Sequence, residues 1–127
     1  MPVAIQSIYP TFRYRDAPGA IDFLERAFGF ECGMVVEGPN GTIAHAELHL
    51  GGEWIMLGSK REDTFPSGPT TTYVVVDDPD ALYARATGAG AEIVRELFDT
   101  DYGSRDFAAR DPDGNVWTFG TYRPEAP

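Results

Sequence analysis

Cysteine is nearly absent. Cys32 is the single thiol in 127 residues. One cysteine can build neither an internal disulfide nor a cysteine-rich zinc site, and such scarcity fits a reducing cytoplasm. No basic residue flanks Cys32, so nothing nearby would lower its pKa, and it reads as a small buried apolar residue. Lysine is as scarce: nine of the ten basic residues are arginine and Lys60 is the tenth. No apolar run nears the roughly 20 residues that a membrane span needs. The opening Met1-Pro2-Val3-Ala4-Ile5-Gln6 has no basic stretch and no long apolar core, so no secretion signal is expected. There is no glycine-rich phosphate loop and no Gly-x-Ser-x-Gly elbow.

What is abundant is acid. Twenty acidic residues against ten basic give a net charge of −10. That field repels nucleic acid and anionic membranes, aids solubility, and enriches cations near any opening. The length allows one ordinary core, so a single domain over residues 1–127 is expected.

Hydrophobic periodicity then lays out the elements. From Ile5 to Tyr14, Ile8, Phe12 and Tyr14 fall opposite Tyr9, Thr11, Arg13 and Arg15, which predicts a strand. Asp16 reads as an N-cap, with Pro18 in the opening turn and Gly29 as the stop of a helix carrying Ala20, Ile21, Leu24, Ala27 and Phe28. Strands are expected at 31–37, 42–50 and 53–58, the last two joined by Gly51-Gly52. In the second of these, Ala44, Ala46, Leu48 and Leu50 alternate with His45, Glu47 and His49. Residues 59–68 read as a linker. The order then repeats: a strand at 70–76, a helix capped by Asp78, and strands at 91–98, 105–110 and 116–121. The strand-to-helix junctions Asp16 and Asp78 lie 62 apart (78 − 16), as do Gly58 and Gly120 (120 − 58). Two βαβββ units, 5–58 and 70–121, follow from this repeat.

The pattern resembles the vicinal oxygen chelate superfamily of glyoxalases, bleomycin resistance proteins and dioxygenases. The residues that carry it are Tyr14-Arg15-Asp16-Ala17-Pro18, Phe28-Gly29-Phe30, His45-Ala46-Glu47-Leu48, Met56-Leu57-Gly58, Val76-Asp77-Asp78-Pro79, and above all Tyr102-Gly103-Ser104-Arg105-Asp106-Phe107 running into Arg110-Asp111-Pro112-Asp113-Gly114-Asn115. The resemblance implies an α+β fold: two βαβββ units form a cupped mixed sheet with the helices on its convex face, in a homodimer. It also places the metal ligands of metal-using members on the first and last strands of each unit. Those positions here hold Tyr9, Met56, Thr71 and Thr118, none a usual ligand of a divalent ion. No cofactor is therefore expected, and a divalent metal is disfavoured. The open alternative is a site on His45, Glu47 and His49, whose alternate side chains point the same way. The other reading of that face is Glu47 hydrogen-bonded to a histidine or an arginine.

The expected ligand face carries Tyr9, Thr11, Arg13, Trp54, Met56, Tyr73 and Thr118, with His45, Glu47, Tyr102 and Arg105 as further candidates. Tyr102 matches the aromatic that precedes a Gly-Arg-Glu-Phe segment in drug-sequestering members, with Ser104 inserted and Asp106 as the acid. The leading functional expectation is non-catalytic binding of a small aromatic, drug-like molecule, as in resistance by sequestration. Two alternatives stay open: a metal-dependent glyoxalase-like lyase, isomerase or dioxygenase, and a regulatory or partner-binding module. No nucleic-acid or membrane partner is expected.

Overall fold

The structure is a computed structural model, and it describes residues 6–124. The expected strand start at Ile5 and the last three residues of the tail lie outside the described residues. The chain divides into two compact units. The first runs to residue 25 and continues over 29–68; the second joins residues 26–28 to the chain from 69 onward. Each unit holds one four-stranded mixed sheet, and the two sheets have the same strand order.

In the first unit, β1 (Thr11–Tyr14) pairs in parallel with β4 (Glu53–Ser59). β4 pairs antiparallel with β3 (Ile43–Leu50), which pairs antiparallel with β2 (Glu31–Glu37). Between β1 and β2 runs α1 (Ala17–Phe28). Its start is the one expected: the Asp16 side chain accepts from the Gly19 amide, and a proline sits in the first turn. Gly29 ends it at φ +83, a left-handed conformation that glycine adopts without the Cβ penalty. Phe12, Tyr14, Ala46, Leu48, Ile55 and Leu57 are all buried on one side of the sheet. Within α1, Ala17, Ala20 and Leu24 are buried too.

The second unit repeats this plan. β5 (Thr71–Val75) lies parallel to β8 (Val116–Gly120), followed by β7 (Arg105–Arg110) and β6 (Glu92–Asp99). The helix α2 (Pro79–Gly88) starts at Asp78, whose carboxylate accepts from the Ala81 amide. Its Tyr83 ring stands edge-on to Phe107, 5.3 Å away. Phe107, Ala109, Trp117 and Phe119 are buried on that face, and Phe28 joins them 4.8 Å from Phe119. The internal repeat holds in the pairing register. Thr11 faces Met56 in the first sheet and Tyr73 faces Thr118 in the second, and both 73 − 11 and 118 − 56 equal 62.

Four expectations need correction. The first strand begins at Thr11, and Ile8 is 85% exposed and so lies off the apolar face. Pro10 has no N–H to offer a ladder, although its carbonyl still accepts from the Met56 amide. Along β3, Ala44 is exposed and Leu50 only half-buried; Ala46 and Leu48 alone carry the buried face. Cys32 is not buried but half-exposed on β2, an edge strand whose register shifts between Cys32 and Met34. Residues 59–68 are no free linker. The Lys60 amide donates to the Tyr14 carbonyl, Arg61 donates to the Ala44 carbonyl, and Arg13 binds Asp63 at 3.0 Å while lying over the Phe65 ring.

The tightest piece of the second unit is the turn before β8. One carboxylate, Asp111, accepts from the Asp113 amide, the Asn115 amide, the Asn115 side chain and the Trp117 indole N–H, all at 2.9–3.2 Å. Asn115 Oδ1 then accepts from both the amide and the hydroxyl of Thr70, tying the turn to the start of β5.

Candidate ligand-binding site

The face of the first sheet opposite its buried side chains carries polar and aromatic groups in rows. Thr11, Met56, Glu47 and Met34 are successive register partners across β1, β4, β3 and β2, and Trp54 faces His49 one row on. Tyr9, Glu47, Trp54, Ile55 and Met56 line a recess of about 300 Å³. That matches the lower end of small-molecule cavities, which pair aromatic and apolar walls with a few polar anchors.

Two local devices set the walls. The Gln6 side chain takes the place of a β1 backbone partner: its Oε1 accepts from the Trp54 amide at 2.6 Å and its Nε2 donates to the Trp54 carbonyl at 2.8 Å. This fixes Trp54 where the strand ladder has stopped short. The indole then leans toward β2, and a Cβ at Gly33 would stand 2.7 Å from its far edge. His49 also packs on it, ring centroids 4.6 Å apart, and its Nδ1 lies 3.0 Å from the Gly51 carbonyl. Gly33→Ala is therefore expected to push the indole aside at a stability cost within about 1 kcal/mol, since the obstacle is the tip of a half-exposed side chain. The check is tryptophan emission and iodide quenching against the melting midpoint; unchanged emission would mean the ring does not cross β2.

The polar anchor is Glu47. His45 Nε2 approaches its Oε2 at 2.9 Å, with both side chains partly exposed. Of the two readings of this face, the structure displays the carboxylate–histidine pair. His49 is engaged elsewhere, and no three His, Cys, Asp or Glu side chains among the described residues are grouped to hold a metal ion. The four positions that the family would use for a metal offer a phenol, a thioether and two hydroxyls, in Tyr9, Met56, Thr71 and Thr118. That donor set does not fit a divalent site. Cys32 carries no activation either: burial and then the nearby Glu25 push its thiol pKa up.

The remaining candidates are not among the residues that line this recess. Arg13 is held by Asp63 and Phe65 at the far end of β1. Arg105 is forked between Asp80 at 2.7 Å and Asp99 at 3.1 Å, which holds its own pKa above the usual value and Asp80 below it. Tyr73 and Thr118 are neighbours on the second sheet, on the face away from Trp117 and Phe119. Tyr102 is 64% exposed in the loop before β7. The second unit also has a broader recess of about 650 Å³ near Thr71, Arg110 and Gly114, without an aromatic wall. Gln6 and Gly33 were missed in the sequence, because a side chain standing in for backbone and a glycine clearing a ring leave no periodic trace.

The model of the Glyoxalase/Bleomycin resistance protein/Dioxygenase superfamily matches residues 7–119. The chain belongs to that superfamily. It is 38% identical to an uncharacterized protein of Mycobacterium bovis over 83% of this chain and 76% of that one. An uncharacterized protein of Mycobacterium tuberculosis is equally similar, with 68% of its length covered. Among solved structures, TioX from Micromonospora sp. ML1 superposes with a TM-score of 0.77 at 31% identity, covering 96% of this chain and all of TioX. The fosfomycin resistance protein FosX from Mesorhizobium loti superposes with a TM-score of 0.68 at 18% identity, covering 95% and 94%; that likeness is one of fold. No helix among the described residues is long and apolar enough to cross a membrane.

Proposed function

We propose that this superfamily member binds a small, flat aromatic molecule, neutral or cationic, and holds it without chemical change, as a sequestering protein would. The observation that carries the reading is the recess of Tyr9, Trp54 and Met56 with Glu47 as its anchor. Two ring walls suit a flat ligand, and a carboxylate held by His45 suits a hydrogen-bond donor or a positive charge on it. The net charge of −10 works in the same direction. The metal-dependent readings of the superfamily lack support from the donor set at positions 9, 56, 71 and 118. We place the protein in the cytoplasm as a homodimer on the expectations from its sequence; light scattering tests the second point.

A thermal-shift screen over cationic, neutral and anionic aromatic compounds tests the reading, with elemental analysis of the purified protein beside it. Cationic and neutral aromatics are expected to raise the melting midpoint, and the cationic effect is expected to shrink with salt. Stabilisation by anions alone, or near-stoichiometric zinc, nickel, manganese or iron, would replace sequestration with an enzyme reading.

A further inference from the structure

The second unit holds a buried charge that the recess of the first does not use. Asp106 lies in β7 beside Gly120 of β8, on the open face of its sheet, and is 5% exposed. Its Oδ1 accepts from the Ser104 hydroxyl and, at 3.4 Å, from the Tyr73 hydroxyl. No cationic side chain lies within 4 Å of the carboxylate among the described residues; its neighbour Arg105 is turned to Asp80 and Asp99. Gly120 makes room for the group, since any Cβ there would collide with Asp106 and with the Tyr73 hydroxyl. A buried carboxylate without an opposite charge is costly.

Beside it stand three rings. Tyr73 and Tyr122 meet edge-on at 6.5 Å, and Tyr122 and Tyr102 edge-on at 5.4 Å. The Tyr122 amide donates to the Tyr73 hydroxyl at 2.9 Å, which links the rings to the carboxylate through one oxygen. All three tyrosines are substantially exposed, at 39%, 45% and 64% for Tyr73, Tyr122 and Tyr102. Burial pushes the Tyr73 hydroxyl pKa up, which keeps it a donor to Asp106. Ring faces attract a cation, and the carboxylate that the Tyr73 hydroxyl touches lacks one among the described residues.

We propose that Asp106 with Tyr73, Tyr102 and Tyr122 forms a binding site for an organic ammonium ion. A divalent metal would call for several carboxylate or carbonyl oxygens, whereas the oxygens beside this one carboxylate are hydroxyls that already donate to it. The site lies within the second unit.

The test uses the whole chain, choline, and the uncharged isostere 3,3-dimethylbutan-1-ol, read by NMR of labelled tyrosine rings. Choline is expected to shift the Tyr73 and Tyr122 signals saturably, with the isostere about tenfold weaker or more. Asp106→Asn keeps the shape and is expected to weaken choline about tenfold, because it removes the attraction of a nearby opposite charge. Tyr122→Leu keeps the backbone amide on Tyr73 and is expected to do the same, which covers the case in which the first variant fails to fold. Trp54→Ala is expected to leave choline binding unchanged. Equal binding of the isostere, or undiminished choline binding in the folded variants, would overturn the site. So would loss of choline binding in Trp54→Ala, which would put the cation in the first unit's recess.

Discussion

Asp111→Ala is expected to lower the unfolding free energy by about 3–5 kcal/mol, because four donor groups converge on that one carboxylate. Two of the donors stranded by the change are fully buried: the Trp117 indole N–H and the Asn115 side chain. Each buried donor left without a partner costs about 1–3 kcal/mol, and a domain of this size has only about 5–15 kcal/mol to lose. Urea denaturation at constant slope measures it. Asp111→Asn keeps one acceptor oxygen and is expected to fall between the two. A loss under about 1 kcal/mol for the alanine variant would mean that water or a shifted turn satisfies these donors.

The same turn shows what could be read in the sequence. The run from Tyr102 to Asn115 was the most specific mark of the superfamily, and in the structure its closing turn, Asp111 to Asn115, ties β8 to the start of β5. A mark of kinship here is a mark of folding. The helix starts were legible because capping is local: Asp16 and Asp78 each need only an amide three residues on. The strands at 31–37 and 105–110 were legible to the residue because glycine and proline punctuate them. The repeat was legible because both units use one register.

The site was less so. Alternation put Trp54 and Met56 on one face of their strand and Glu47 on the polar face of the strand before it; in the structure the three line one recess. It could not name Asp63, Asp80 and Asp99 as the partners of Arg13 and Arg105, since they lie 50, 25 and 6 positions away. Tyr102 belongs to the second unit and meets Tyr122 there. Periodicity reports the face of a strand; it carries nothing about which distant charge a long side chain will find.

Trp54→Ala is expected to weaken the aromatic ligand about 30-fold or more, the scale of a central aromatic anchor, with a much smaller loss of stability. The indole is only half-buried, and the two bonds from Gln6 go to the Trp54 backbone, so truncating the ring leaves that strand pairing in place. Calorimetric titration reads the affinity directly. Tryptophan emission adds a second view, since the variant keeps only the buried Trp117. Glu47→Gln separates the two contributions of the recess. It keeps the side-chain shape and an acceptor for His45 while removing the charge. A cationic aromatic is then expected to lose about tenfold, in line with a hydrogen bond to a charged group, while a neutral one of the same outline loses little. Equal losses for both ligands would make Glu47 a packing residue, and an unchanged affinity in Trp54→Ala would place the ligand outside this recess altogether.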